Sequence, residues 1–357
     1  MTRVILTLLL LCQPFCLRAG EIGFTEPGLL GSSTTDRPRV VLVRDAAATV
    51  ALAPQPEVVA GMVDRGIMAF TGQTTPGEAW RSLVSTQDVV GVKVYSLPGP
   101  ISGTRPTVVA AVVRGLLGAG IPGQRIVIWD RRLEDLRSAG FDTLASSLGV
   151  RLAGAADAGF DPAVWYENPV LGQPVFGDLE FSKNSAAFLT NSAGHSIGRN
   201  SYLSRLLTRD LTKLINIAPL LNHNTAGVSG ILYTVASAVT DNFLRFEVNP
   251  SLLERAVPEI YGQPQIADRV AVNMVDALIG QYEGRQRSLL HYSTTLNELR
   301  FSADPVALDV LSLADLNRAR ASLGVTVVTN RFELYLNARL MELGADDFKR
   351  MDILRVD

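Results

Sequence analysis

The chain has 357 residues, 47% of them hydrophobic and 19% charged, with 33 basic and 35 acidic side chains. That length and apolar content suit one large core or two lobes, and they exclude a disordered or fibrous chain. A net charge of −2 without any basic tract argues against nucleic acid as a partner.

Residues 1–20 read as a secretory signal peptide. Arg3 is a minimal positive start, Val4 to Leu11 form an apolar core, and Leu17-Arg18-Ala19-Gly20 offer small residues for cleavage. The apolar stretch is too short to span a membrane, and no later segment reaches the roughly 18 apolar residues that a span needs. The expected location is therefore the periplasm or the exterior. Both cysteines, Cys12 and Cys16, fall inside this segment. The exported chain would then have no disulfide, no thiolate zinc site, no cysteine nucleophile and no iron–sulfur cluster of its own. No other cofactor is indicated.

Residues 21–38 are rich in Gly, Ser, Thr and Pro and read as a linker. A single α/β domain is expected over residues 39–357. Val40 to Val43 predicts a first strand. Apolar spacing predicts helices over Pro56 to Phe70 and Pro76 to Val84. Asp88 to Tyr95 predicts a strand, Thr104 onward a helix with Pro106 in its first turn, and Arg125 to Trp129 the next strand. A charged helix follows over Arg131 to Ala139. This strand–helix–strand alternation implies a mostly parallel sheet flanked by helices. Residues 150–205 read as an irregular excursion with hairpin character. Beyond it, strands are expected at Lys213 to Ala218, Ile266 to Asp276, Arg300 to Ser302 and Asp352 to Val356. Helices are expected at Ala226 to Val239, Ser251 to Pro258, Pro305 to Leu316 and Arg331 to Leu343.

Several of the strand-like runs end on a polar or charged residue: VVGVKVYS, RIVIWD, KLINIAPLLNH, VAVNMVD and LRFSADP. Ligands of open α/β sheets gather at the carboxyl ends of the strands, so these residues mark the candidate site. Lys93, one of only four lysines, alternates onto a face with Val89, Gly91 and Tyr95. It can contact a substrate anion or act as a base, and it can equally form a structural ion pair. Asp130 can orient a substrate or cap the next helix. His223, between Asn222 and Asn224, is placed for proton transfer at a junction suited to anions, or belongs to a capped loop. Asp276 is read like Asp130. Arg105 can clamp a carboxylate or phosphate. Asp304, before Pro305, reads first as a helix cap and second as a ligand contact. The chain has no GxGxxG, P-loop, GxSxG or HExxH motif, and its three histidines give no metal-ligand spacing. A carboxylate metal site built on Asp130, Asp276 and Asp304 with His223 has only weak support.

The segments VGVKVYSLPG, TRPTVVAAVVRGLLGAGIPGQRIVIWDR, LINIAPLLNHNTAGVSGIL, DNFLRFEVNP, VDALIGQYEG and DPVALD, in this order, resemble the bacterial domain of unknown function 362. The resemblance spans roughly residues 88–310. It implies an α/β protein, in some members fused to ferredoxin-type modules, and hence the possibility of a redox partner protein. Lys93, Asp130, His223, Asp276 and Asp304 match the family pattern. Where that pattern has Lys-Asp-His, this chain has Leu221-Asn222-His223. Tyr95 replaces an Asn, Tyr233 and Thr234 replace Lys-Asn, and Glu247 replaces a His. A site built on those charges would be altered here.

Taken together, the expected site has Lys93, Asp130 and His223 as catalytic groups and Arg105, Asn222, Asn224, Asp276 and Asp304 as substrate contacts. The expected activity is acid/base chemistry on a small anionic metabolite. The alternative is a non-catalytic binding or redox-accessory protein that keeps a degenerate site.

Overall fold

The computed structural model describes residues 37–168, 200–247, 249–284, 287–328 and 332–357. The signal-peptide reading, nearly all of the linker, Lys183 and His195 lie outside these residues, as does the middle of the 150–205 excursion.

Strand β1 (Arg39–Arg44) has four consecutive buried residues, the mark of a strand covered on both faces. A short hairpin, β2 (Thr49–Val50) and β3 (Ala53–Pro54), leads to helices α1 (Pro56–Thr71) and α2 (Pro76–Leu83). The capping threonine Thr75 accepts the Glu78 amide to start α2. Then come β4 (Val90–Lys93), α3 (Gly99–Ser102), α4 (Pro106–Gly118), β5 (Ile126–Asp130), α5 (Leu133–Ser138), α6 (Phe141–Leu148) and β6 (Arg151–Gly154). The excursion supplies an antiparallel pair, β7 (Phe160–Glu167) with β8 (Asn200–Ser204). Strand β9 (Lys213–His223) turns directly into the short β10 (Gly227–Val228), which pairs back on it. Helices α7 (Ile231–Val239), α8 (Leu244–Glu247), α9 (Pro250–Tyr261) and α10 (Pro264–Ala267) precede β11 (Val270–Gln281) and β12 (Ser293–Ser302). Helices α11 (Pro305–Ser322) and α12 (Glu333–Leu340) and strand β13 (Asp352–Val356) complete the chain.

The main sheet runs β13-β1-β12-β11-β9-β4-β5-β6. β12 is antiparallel to both its neighbours, and every other pairing along this path is parallel. The fold is therefore α/β with a mostly parallel mixed sheet between helical layers, as the alternation implies. One face of β4 carries Val90, Val92 and Val94 into a core with Val59, Met62, Trp80, Val112 and Phe141 from α1, α2, α4 and α6. The other face packs Tyr95, Val127 and Trp129 with Val235, Val257, Leu316 and Tyr335 from α7, α9, α11 and α12.

Some elements differ from expectation. Thr104 does not cap α4. Its hydroxyl donates to the Ile217 carbonyl at 2.7 Å and accepts the Tyr95 amide at 2.8 Å, which ties the β4 loop to β9. The segment after His223 is a β-turn between strands, not a helix start. β11 continues five residues past Asp276. β12 begins at Ser293, seven residues before its expected start, because its first half is polar and only partly buried. Helix α6 had no expectation.

Candidate functional site

From β4 the chain moves through α4 to β5 and then β6, and it later returns on the opposite side of β4 as β9. Such a reversal of strand order opens a crevice at the carboxyl ends, here those of β4 and β9. Lys93 is the last residue of β4 and Asp130 the last of β5, one position beyond Lys93's register partner Trp129. The Lys93 ammonium lies 2.8 Å from Asp130 Oδ1 and donates to the Val94 carbonyl at 2.5 Å. Asp130 Oδ2 accepts the amide and the hydroxyl of Ser96, both at 2.7 Å. Both side chains are buried. Burial holds the Lys93 pKa below the ordinary lysine range, and the Asp130 charge opposes that shift. The ammonium also lies 5.6 Å from the Trp129 ring centre and 5.9 Å from that of Tyr95.

Arg105 and Asp276 form a second closed pair. One guanidinium nitrogen is 2.9 Å from Asp276 Oδ1, and the Arg105 amide donates to Oδ2 at 3.0 Å. The other terminal nitrogen donates to the carbonyls of Ile101 and Ile279, both at 3.0 Å. A register shift after Asp276 loosens β11 there, and the Leu278 amide turns to the same carboxylate. The arginine and lysine expected to hold a substrate anion are each held by an aspartate of the same expected set.

His223 ends β9. Its Nδ1 accepts the amides of Ala226 at 2.9 Å and Thr225 at 3.2 Å. An imidazole that accepts at Nδ1 carries its proton on Nε2, so this ring is a donor at its other nitrogen. The ring packs on Tyr233 with centres 4.3 Å apart. Asn222 is buried and its amide reaches Asn224 at 3.5 Å, while its carbonyl oxygen takes no hydrogen bond among the described residues. Asp304 caps α11 by accepting the Ala307 amide at 2.8 Å, and it also accepts Ala345 at 2.7 Å. Among the described residues, no three His, Cys, Asp or Glu side chains are placed to hold a metal ion.

The start of α7, the helix expected to favour anions, already holds one. Asp309 of α11 accepts the amides of Ile231 at 2.7 Å and Leu232 at 3.0 Å. Burial pushes its carboxyl up to about 7 against the help of those two amides. A Cβ on Gly230 would overlap this carboxylate, which explains the glycine there.

Beside the Lys93–Asp130 pair, the structure opens a hollow of about 100 Å³ that sequence reasoning did not assemble. Tyr95, Tyr233 and Phe243 form aromatic walls, with Asp135, Glu247, Arg131 and Arg132 as charged lining. The Tyr233 hydroxyl donates to Glu247 at 2.5 Å, and the Tyr95 and Tyr233 rings stand edge to face with centres 6.4 Å apart. Burial raises the Glu247 and Asp135 carboxyl pKa values, and it raises the Tyr95 hydroxyl well above the ordinary tyrosine range. Arg131 donates to the carbonyls of Ser237 at 2.5 Å, Thr240 at 2.7 Å and Asp241 at 2.9 Å, capping the end of α7. One signal in the sequence pointed here. Tyr95, Tyr233 and Glu247 are three of the positions at which the chain departs from the pattern it resembles, and all three line this hollow.

No family model matches this chain, and no curated protein does so. Among solved structures, a structural-genomics protein from Thermotoga maritima is similar at 12% identity and a TM-score of 0.40, over 76% of this chain. The match covers 60% of that protein's length.

Proposed function

We propose that this chain is an exported relative of the domain of unknown function 362 family that binds a small molecule in the hollow between β4, β5 and α7, without acid/base catalysis by Lys93 and His223. The observation that carries this reading is that each expected catalytic group is already engaged within the chain. Lys93 and Arg105 each face a carboxylate and backbone carbonyls, and His223 Nδ1 is occupied by two amides. A base must have an accessible lone pair, and an anion-binding cation must have donors to offer. The neighbouring hollow instead lines a small volume with rings and carboxyls whose pKa values are perturbed, the combination expected of a ligand site.

The test is a small-metabolite screen that reads both melting shift and turnover. The expected result is a ligand that raises the melting temperature without being consumed, with the shift lost in Glu247→Gln and retained in His223→Ala. Turnover abolished by His223→Ala would reverse the reading. A second reading rests on Glu247 itself, whose raised carboxyl pKa and Tyr233 partner suit a general acid/base. It predicts turnover lost in Glu247→Gln alone.

A further inference from the structure

The chemistry of the hollow's walls narrows the ligand further than its volume does. Its charged lining is Asp130, Asp135, Glu247, Arg131 and Arg132, and its phenols are Tyr95 and Tyr233. Asp130 has both oxygens engaged by Lys93 and Ser96. Arg131 directs its guanidinium at three carbonyls at the end of α7. Arg132 lies near Asp135 and favours its charged form, while Asp130 and Glu134 oppose it.

Two carboxyl groups retain acceptor capacity. Among the described residues Asp135 takes no hydrogen bond on its side chain, and Glu247 takes one, at one oxygen, from Tyr233. The rings beside them stand edge to face. Tyr95 and Tyr233 have centres 6.4 Å apart at 83°, and Tyr233 and Phe243 5.8 Å apart at 76°. Aromatic faces attract cations and repel anions, and a carboxylate beside them adds a full opposite charge. An anion in this space would lie against the Asp135 and Glu247 carboxyls, and of the two lining arginines Arg131 is already turned to the carbonyls at the end of α7.

We propose that the hollow binds a small organic ammonium ion, held between the Asp135 and Glu247 carboxylates and the rings of Tyr95, Tyr233 and Phe243. This rests on the reading of the hollow as the ligand site and names the class of its ligand. A volume of about 100 Å³ limits that ligand to a few heavy atoms. The assignment reverses the sign of the ligand expected from the sequence.

The test uses tetramethylammonium and methylammonium chloride as probes, with sodium acetate and inorganic phosphate as anionic counterparts. Binding is followed by melting temperature and calorimetry. An ammonium probe is expected to raise the melting temperature by about 2 °C or more near saturation. Glu247→Gln and Asp135→Asn are each expected to weaken it by about tenfold or more. Asp135 makes no side-chain hydrogen bond among the described residues, so its variant stays informative even if Glu247→Gln is unstable. Tetramethylammonium cannot lose a proton. Its affinity is therefore expected to fall on acidification, because burial makes these two carboxyls become neutral at a higher pH than free ones do.

Acetate or phosphate binding that is lost in the hollow-filling variant Ser237→Leu, with no ammonium response, would overturn the ligand class and leave the hollow as the site. An ammonium shift indifferent to Asp135→Asn, Glu247→Gln and Ser237→Leu would place the cation elsewhere and overturn the proposal. No shift with any probe would overturn both the class and the site.

Discussion

Lys93 lies beside the Tyr95 ring and Glu247 accepts the Tyr233 hydroxyl, and the two illustrate two ways of burying charge. Around Lys93 and Arg105 each cation meets one carboxylate, and the leftover donors meet carbonyls. Around Glu247 and Asp135 the carboxyls outnumber the donors that reach them, and burial pushes their pKa values up. Charged residues at strand ends look alike in a sequence. What separates scaffold from ligand site is whether hydrogen bonding closes within the chain. A saturated pair rigidifies the crevice, and an undersupplied one leaves attraction available for something else.

The largest expected effect lies on the closed side. Asp276→Ala leaves Arg105 buried without its carboxylate and should cost about 3–5 kcal/mol in denaturant unfolding. Asp130→Asn should cost a comparable amount, with a distinctive pH dependence. The orphaned Lys93 ammonium would have a pKa further below its unfolded value, since burial already lowers it. The unfolded chain then binds more protons, so the variant's stability should rise as pH increases toward the ordinary lysine range. A loss well under 1 kcal/mol in both variants would break the distinction between the two regions.

Asp309 shares features of both. It is bonded to two amides like the closed pairs, yet among the described residues no cation pairs with it, and Asp304, Tyr261 and Tyr335 interact with it electrostatically. Burial pushes its folded-state carboxyl up to about 7, above the ordinary aspartate value of 3.8. Between those values the native state holds a proton that the unfolded chain has released. Stability should therefore fall as pH rises through this window, by up to about 1.4 kcal/mol per pH unit, and level off above it. Asp309→Asn should flatten that slope in unfolding measured across the window. Asp304, Asp135 and Glu247 are raised in the same direction and should leave a weaker residual slope.

Much of this was legible in the chain, for identifiable reasons. The alternation in VVGVKVY assigned Val90, Val92 and Val94 to one face and Lys93 to the other, because a strand's side chains alternate whatever surrounds it. The βαβ pattern over residues 88–140 gave the parallel β4–β5 pair. What alternation does not encode is which strand lies beside which. Lys93 meets Asp130 through β5, and Asp276 meets Arg105 because the β4–α4 loop crosses over β11. The Arg105–Asp276 pair also depends on the tertiary insertion of β9 between β4 and β11. The same insertion brings α7 and α8 over β4, so Tyr233 and Glu247, far from Tyr95 in sequence, close the hollow. The polar start of β12 and the short α6 carry too weak an apolar period to be read without their neighbours.

On the undersupplied side, Tyr233→Phe removes the only hydrogen bond that Glu247 takes among the described residues. The expected loss is about 1 kcal/mol in stability. The more specific outcome is on titration. That hydroxyl lowers the Glu247 pKa, so its removal should move the carboxyl further up, read from side-chain carboxyl chemical shifts. An unchanged or lower value would mean that Tyr233 is not what keeps this carboxylate charged, and the contrast with Asp130 would lose its basis.

The smallest net effect tests the closed side from the opposite direction. Lys93→Met combined with Asp130→Asn removes both charges at once while an amide oxygen remains for Ser96. Desolvating the two ions opposes much of their mutual attraction, so the double variant should lose less than about 1 kcal/mol, far less than Asp130→Asn alone. The difference, measured as a double-mutant cycle by denaturant unfolding, is the coupling between the pair. If the double variant is as unstable as the single one, Lys93 stabilises the sheet edge through contacts that do not depend on Asp130. The position of its ammonium beside the Trp129 and Tyr95 rings would then be the structural element, and the ion pair would be a consequence of that position.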